Sequence, residues 1–461
     1  MAYKRNRSKK CNSWLAALAF FGVIVGGPIT NECWAAFATN YSMSLGEQFT
    51  DNVFFTKDKS SDFITLITPT LNLLYAPQGQ ILPTVNLSIS PQAQIFAHNS
   101  DLNNFGRRMS MNAGYTEQLT PRLSVNFSDT LSRDGVSRAG GLGGGGLLGT
   151  PTSGNGIGST PNSQNLQNFT SVGDVVTNIV SARGTFLYQP NLSFNADYSN
   201  NFTKFLDQGG SETYNQMGVR GVYNYRQEHN LHAGYSIAIY NSKNGDNDVI
   251  HNFDIGDDYF SNLQVRLSPT LTIAASTGLG FNASGDGPRI ANNTNITITK
   301  LWETATLQGG MRKGLTPSFG VSGISDTTTF FTDFDSRLTD RLTAKVNVSY
   351  SLWNTDDENF KTFQAIAGLQ YAINSWLSSN LNYGFYSTKG GSGATENCGS
   401  SNICIPKGTV NSNTVWLTLT ANFNLWPNPG LSRGISSAAA VPIVRPPFSS
   451  GQAPTGGPVT P

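Results

Sequence analysis

The stretch Leu338–Ser351 reads LTDRLTAKVNVSYS. Leu342, Ala344, Val346, Val348 and Tyr350 alternate with Thr343, Lys345, Asn347, Ser349 and Ser351. Successive side chains of a strand point to opposite faces, so this period of two describes a strand with one apolar and one polar face. Leu338-Thr-Asp-Arg-Leu342 ahead of it is a tight turn with an apolar residue on either side.

The same pattern recurs from Thr39 to Trp426. Leu71, Leu73 and Tyr75 form such a row, as do Val85, Leu87, Ile89, Ala93 and Ile95 against Asn86, Ser88, Ser90, Gln92 and Gln94. Leu123, Val125 and Phe127, then Leu231 to Ile239, then Val415 to Phe423 continue the series. The turn recurs too: Leu119–Ser124 (LTPRLS), Leu267–Ser268–Pro269–Thr270–Leu271 and, more loosely, Ile373–Ser378 (INSWLS) are variants of one hairpin.

Short connections are expected at Pro77–Gln80, Thr120–Arg122, Pro190–Asn191, Gln227–Asn230, Ser268–Thr270, near Glu303, at Thr339–Arg341 and at Asn374–Ser375. Between them fall longer polar connections at Thr56–Asp62, His98–Gly106, Arg133–Asp174, Asp207–Ser211, Ser242–Asp248, Asn282–Asn293, Gly314–Ser325, Asn354–Asn359 and Lys389–Ser412. Eight short and nine long connections join eighteen strands. The expected fold is all-β: a transmembrane antiparallel up-and-down β-barrel, with short periplasmic turns and long extracellular loops.

Composition agrees. Charged residues are 13% of 461, and Lys plus Arg (30) nearly balances Asp plus Glu (29), which gives no electrostatic case for a nucleic-acid partner. A mean hydropathy of −0.24 is too polar for a bundle of membrane helices and suits a wall apolar on one face. Tyr75, Tyr115, Tyr188, Tyr225 and Tyr371 lie shortly before short turns, and Tyr198, Tyr350, Phe281 and Phe385 lie towards long loops. Two such belts are expected where a barrel wall meets the bilayer interfaces.

Residues 1–38 read as a cleaved secretory signal. Lys4, Arg5, Arg7, Lys9 and Lys10 precede the apolar run Trp14–Val25, and Ala36-Phe37-Ala38 is a small-x-small cleavage site. Cleavage there leaves Cys398 and Cys404 as the mature cysteines, and a close pair in an exported protein favours a disulfide. Residues 39–426 form the barrel. Residues 427–461, rich in Pro, Gly and Ser, read as a flexible tail.

With the apolar row towards lipid, the other row lines the interior. It carries Arg108, Arg183, Arg220, Arg226, Arg266, Arg312, Arg337 and Lys345 with Asp197, Asp254, Asp258, Asp333 and Asp335. A Lys or Arg on the lipid face costs about 2–4 kcal/mol near the midplane, which drives these side chains inward. They set a transverse field in a pore, pair to stiffen the wall, or do both. His98, His229, His232 and His251 have no metal or triad spacing, and His251 falls on the apolar row near an outer strand end. Asp246–Asp248 and Asp356–Glu358 lack the EF-hand spacing and read as solvated loop tips. The glycines of Gly140–Leu147 are followed by no GK[ST]. No catalytic, metal or cofactor site is assigned.

The opening strand Tyr41–Phe55, with Asp51-Asn52 towards its outer end, resembles the first strand of the beta-barrel porin 2 group. The stretch with Gly314, Pro317, Gly320 and Gly323, followed by a strand and the Leu338–Leu342 hairpin, is also similar. The resemblance covers most of Thr39–Trp426 and implies an outer-membrane barrel; it transfers no substrate and no catalytic residue. One departure is that Phe423 and Trp426 are followed by a tail, where many outer-membrane barrels end on an aromatic residue.

The functional expectation is a porin-like channel for passive diffusion of small hydrophilic solutes, with weak charge selectivity. The alternative is a scaffold or an export-associated barrel, as in polysaccharide export, without an open pore. Expected partners are outer-membrane lipid and lipopolysaccharide, the outer-membrane assembly machinery, small hydrophilic solutes and possible further copies of the chain.

Overall fold

A computed structural model describes residues 37–54, 57–75, 84–134, 175–206, 210–226, 229–242, 247–260, 270–282, 289–317, 324–354, 359–390 and 408–426. Residues 1–36 of the expected signal, the Arg133–Asp174 loop beyond Asp134, Cys398, Cys404 and the tail lie outside these residues, while Phe37 and Ala38 of the expected signal belong to the first strand.

The strands in chain order are β1 (Phe37–Thr50), β2 (Asp62–Tyr75), β3 (Thr84–Phe96), β4 (Asn104–Thr120), β5 (Leu123–Asp134) and β6 (Val175–Gln189). Then come β7 (Leu192–Phe205), β8 (Ser211–Arg226), β9 (His229–Ser242), β10 (Asn247–Phe260), β11 (Leu271–Asn282) and β12 (Arg289–Leu301). The last are β13 (Ala305–Pro317), β14 (Ile324–Arg337), β15 (Leu342–Asn354), β16 (Asn359–Ala372), β17 (Leu377–Gly390) and β18 (Thr409–Trp426). Each pairs antiparallel with its neighbours in sequence, and β1 pairs with both β2 and β18, from Thr39↔Trp426 to Thr50↔Thr414. The eighteen-stranded sheet therefore closes on itself and has no free edge.

The two faces separate as the period of two requires. On β2, Phe63 is 54% exposed and Ile64 is fully buried. The outward row holds exposed apolar side chains on strand after strand, among them Leu45, Phe127, Val219, Ile255, Ile298, Leu381 and Leu419. A surface of that kind is stable against hydrocarbon and unstable in water, so the wall is that of a transmembrane barrel. Tyr188, Tyr225, Trp302, Tyr371 and Trp376 are exposed near the short-turn end, and Phe63, Phe105, Phe281 and Phe330 near the other. His251 is on this outward row, where Tyr235 bonds its Nδ1 at 2.8 Å.

The repeated short hairpin has a mechanical reason. Thr120 Oγ1 accepts the amides of Arg122 and Leu123, and Thr339 Oγ1 those of Arg341 and Leu342, at 3.2 and 3.0 Å in each turn. In the looser variant Asn374 Oδ1 accepts the amides of Trp376 and Leu377 at 3.0 and 2.8 Å. The polar residue after the leucine or isoleucine thus satisfies two turn amides that no ladder partner can reach.

Two local breaks are equally legible. Pro69 and Pro91 face each other where the β2–β3 ladder lapses between Ile67↔Ala93 and Leu71↔Ile89, since neither offers an N–H. Side chains bridge the lapse from inside, Thr70 to Ser90 at 2.8 Å and Gln92 to Thr68 at 2.9 Å. On β4 the register slips beside Gln92/Ala93, and Gly106 takes the positive φ of 77° that the bulge demands.

At the outer end Asp62 is buried. It accepts the amides of Phe63, Ala97, His98 and Asn99 and the Asn99 side-chain amide, tying the start of β2 to the β3–β4 connection. The outer connections 206–210, 243–246 and 355–358, which join β7–β8, β9–β10 and β15–β16, fall where the sequence places them. Conversely β10 and β11, at the short-turn end, are separated by 261–270.

Candidate functional site

The polar row points inward, and its charges are arranged in pairs. Arg183 Nε donates to Asp197 Oδ1 at 2.5 Å between β6 and β7. Arg220 donates to Asp254 at 2.7 Å, from β8 to β10. Lys345 and Asp335 meet at 3.1 Å between β15 and β14. Asn347 donates to Asp333, and the Arg312 guanidinium lies 4.6 Å from the ring centre of Phe331. Opposite charges close together in a partly dry wall attract far more strongly than in bulk water, so the row neutralises itself locally.

Arg220 and Asp254 have the most enclosed environment. Their side chains are 7% and 12% exposed, and His232 Nε2 is 3.8 Å from the same carboxylate oxygen. His232 lies over Gly256: a Cβ there would stand 2.6 Å from Nε2, so only glycine admits the ring. This histidine had no evident partner in the sequence, because β8 and β10 come together on either side of β9 only in the folded sheet.

The remaining interior candidates differ in placement. Arg108 is inward and buried opposite Gln92. Arg337 sits at the short-turn rim and pairs with Asp340 at 2.5 Å. Arg226 is also at that rim: a register shift between Asn224 and Arg226 sets it opposite His229, with its guanidinium 5.3 Å from the Tyr225 ring centre. Asp258 holds a ladder position between Asn230 and Ala274; its side chain, and Arg266 altogether, lie outside the described residues.

The outer half of the interior is built differently. Inward positions there are fully buried on widely spaced strands: Thr50, Ile64, Thr203, Ser236, Ile250, Thr327, Thr388 and Ser412. Several are large and apolar or aromatic, including Tyr240, Trp353 and Phe360, the last two stacked at 5.5 Å.

Part of the cover comes from the wall itself. The β12–β13 ladder ends at Thr294↔Lys313, whereas β13 and β14 stay paired up to Pro317↔Ile324. Leu315 and Ile324 continue the outward row of Met311 and Phe330, yet they are 6% and 4% exposed. They form one packed cluster with Tyr214, Ala238, Tyr240, Ile250 and Ala291, all on the inward row of β8–β12, and β13 also touches β11. The described end of the β13–β14 pair, Gly314–Pro317 against Ile324–Thr327, therefore leaves the wall and tucks inside it. On its other face Thr316 and Thr327 bond at 2.7 Å and are also buried.

Among the described residues no group of three His, Cys, Asp or Glu side chains could hold a metal ion, and no helix is long and apolar enough to cross a membrane. No family model and no curated protein matches the chain, so the resemblance to the beta-barrel porin 2 group stays at the level of the barrel. Among solved structures, similarity is found to Acinetobacter baumannii OccAB3, with 10% identity over 84% of this chain and 100% of that one, at a TM-score of 0.42. Pseudomonas aeruginosa OccK2 (OpdF) in complex with glucuronate is similar at 10% identity over 84% and 98%, with a TM-score of 0.44. The siderophore receptor PirA of the same organism shows 9% identity over 84% and 80%, with a TM-score of 0.38. Likeness at this level carries no argument about what the chain does, which has to come from its own residues.

Proposed function

We propose that the chain is an outer-membrane channel of the porin kind, through which small hydrophilic solutes diffuse passively with weak charge preference. The observation that carries this reading is the closed eighteen-stranded barrel with a polar, charge-paired inward row in its short-turn half. Barrels of about sixteen to eighteen strands are wide enough to leave an aqueous channel. Because Arg183, Arg220 and Lys345 each face a carboxylate, no single sign dominates the passage. The outward apolar row supports contact with outer-membrane lipid and lipopolysaccharide, and a barrel of this type reaches the membrane through a signal peptide and the assembly machinery.

A second reading has its own observation. The tucked β13–β14 tip and the buried inward positions around the outer half favour a closed barrel that serves as a scaffold or export-associated component. Conductance of the purified, folded protein in a planar bilayer separates the two. Steady channels with little anion or cation preference, together with sugar entry into proteoliposomes, support the porin reading. A folded protein that neither conducts nor admits sugars supports the scaffold.

A further inference from the structure

Every strand of the sheet has a neighbour on each side, but the β12–β13 junction is laddered only in its short-turn part. Its last rung is Thr294↔Lys313, and both strands run on past it, β12 through Arg289–Asn293 and β13 through Gly314–Pro317. At no other junction among the described residues do both strands continue beyond the last rung of their ladder. β12 stays paired with β11 up to Asn282↔Arg289, and β14 stays paired with β15 up to Asp326↔Asn354. The wall is therefore split between β12 and β13, and its two sides overlap. Leu315 and Ile324 of the β13–β14 end lie inside, in one cluster with Ala291 of β12 and with Tyr214, Ala238, Tyr240 and Ile250 beyond it. Gly314 permits the crossing, because a Cβ there would stand 2.7 Å from Asn293 Oδ1.

The split lies at the level of the lipid. Ile290 is 72% exposed on the outward row, and the rungs Ile290↔Phe281 and Leu279↔Phe253 carry that row over β11 and β10, where Phe281, Leu279 and Phe253 are exposed as well. Thr294 stands six residues from Lys300 near the short-turn end and Ile290 stands ten, or about 15 and 25 Å of height for a strand tilted about 40°. The unladdered part thus falls in the outer half of an apolar band about 25 Å tall. A strand edge in hydrocarbon has to be sealed, and here packed aliphatic side chains do the sealing where a ladder does elsewhere. Such a seal yields to any molecule that makes the same contacts, because a ligand shifts an equilibrium towards the state it fills. Behind the seal, Tyr214, Tyr240, Ile250 and Ala291 form an apolar strip in a lumen whose other half carries ion pairs. Two aliphatic side chains, Leu315 and Ile324, cover that strip as a short stretch of acyl chain would.

We propose that the β12–β13 split is a lateral port for a single-chain amphiphile such as a fatty acid. Its acyl chain enters from the outer leaflet, displaces Leu315 and Ile324, and lies along Tyr214, Tyr240, Ile250 and Ala291. The inference rests on the barrel's lying in a bilayer and not on its conducting hydrophilic solutes. Sugar entry into proteoliposomes, measured on the same protein, can therefore fail without touching it.

The test uses the full chain, with Cys398 and Cys404 replaced by Ser, folded into phospholipid nanodiscs that contain a fatty acid with a photoreactive diazirine near the end of its chain. Illumination and peptide mapping are expected to find adducts on the inward Tyr214, Tyr240 or Ile250 as well as on outward residues such as Ile290. In A291C/L315C, oxidation ties the end of β13 to β12. The inward adducts should then be lost and the outward ones kept, and reduction should restore the former. Adducts confined to outward residues in the untied protein would overturn the proposal. So would inward adducts that persist in the tied form, since the chain would then enter by the mouth of the barrel. If the disulfide does not form, L315A/I324A removes the side chains that the amphiphile displaces, and inward labelling that fails to rise above that of the unchanged protein overturns the port. Equal inward labelling by a photoreactive diacyl phospholipid would show that resident membrane lipid fills the strip, and would overturn the single-chain assignment.

Discussion

Arg220 on β8 and Asp254 on β10 are joined by a 2.7 Å hydrogen bond that passes over Gly234 of the intervening β9. The glycine contributes no side chain to the inward face at that point, so the long guanidinium can reach a carboxylate two strands away.

Removing one partner should leave a buried charge uncompensated. Asp254→Ala is expected to destabilise the folded barrel by about 3–5 kcal/mol. The double variant R220L/D254L should be less destabilised than D254A, since it buries no lone charge. Urea unfolding from lipid vesicles, followed by tryptophan fluorescence, measures both; a double variant at least as unstable as D254A would contradict the assignment.

The turn hydroxyls offer a smaller and cleaner effect. Thr339→Val keeps the shape of the side chain and loses two bonds to the Arg341 and Leu342 amides. A loss of about 1 kcal/mol is expected, and Thr120→Val should cost about the same, because its turn is built alike. The two losses should add, since the turns are far apart in the sheet.

The tucked tip bears on conduction. Leu315→Asp with Ile324→Asp places two carboxylates in an apolar cluster, where they cannot remain charged and unpaired. The tip should swing out of the lumen, and single-channel conductance should rise above that of the unchanged protein with the barrel still folded. Unchanged conductance from a folded variant would mean that the tip does not obstruct the path.

Asp51, in the connection after β1, gives a pH-dependent signature. Burial by itself would raise its carboxyl; bonds from Lys59 and from the Asn413 side chain and amide outweigh this and hold it below the ordinary value of 3.8. A folded value below the unfolded one means that the stabilisation is complete above the ordinary carboxylate range and is lost as pH falls through the folded value. The stability gap between the protein and its Asp51→Asn variant should therefore be widest near neutral pH and close in acid. A gap that is constant from pH 7 down to about pH 2 would show that the contacts do not depend on the carboxylate charge.

The strand rows and the eighteen-strand count were legible from the chain alone. Each depends on a local rule: side chains alternate with a period of two, and charge is expelled from hydrocarbon.

What the sequence by itself determined is which residues form strands and which face each side chain takes, because both follow from neighbours two positions apart. Only the tertiary structure decided which charge meets which, as with Arg220 and Asp254 across β9, because that depends on the register of strands whose residues are more than thirty positions apart. It also decided that Leu315 and Ile324, outward by alternation, lie inside the barrel. Alternation sets the side of a strand on which a residue stands; whether that side meets lipid or lumen depends on where the strand runs, and at the β13–β14 tip the strand pair leaves the wall.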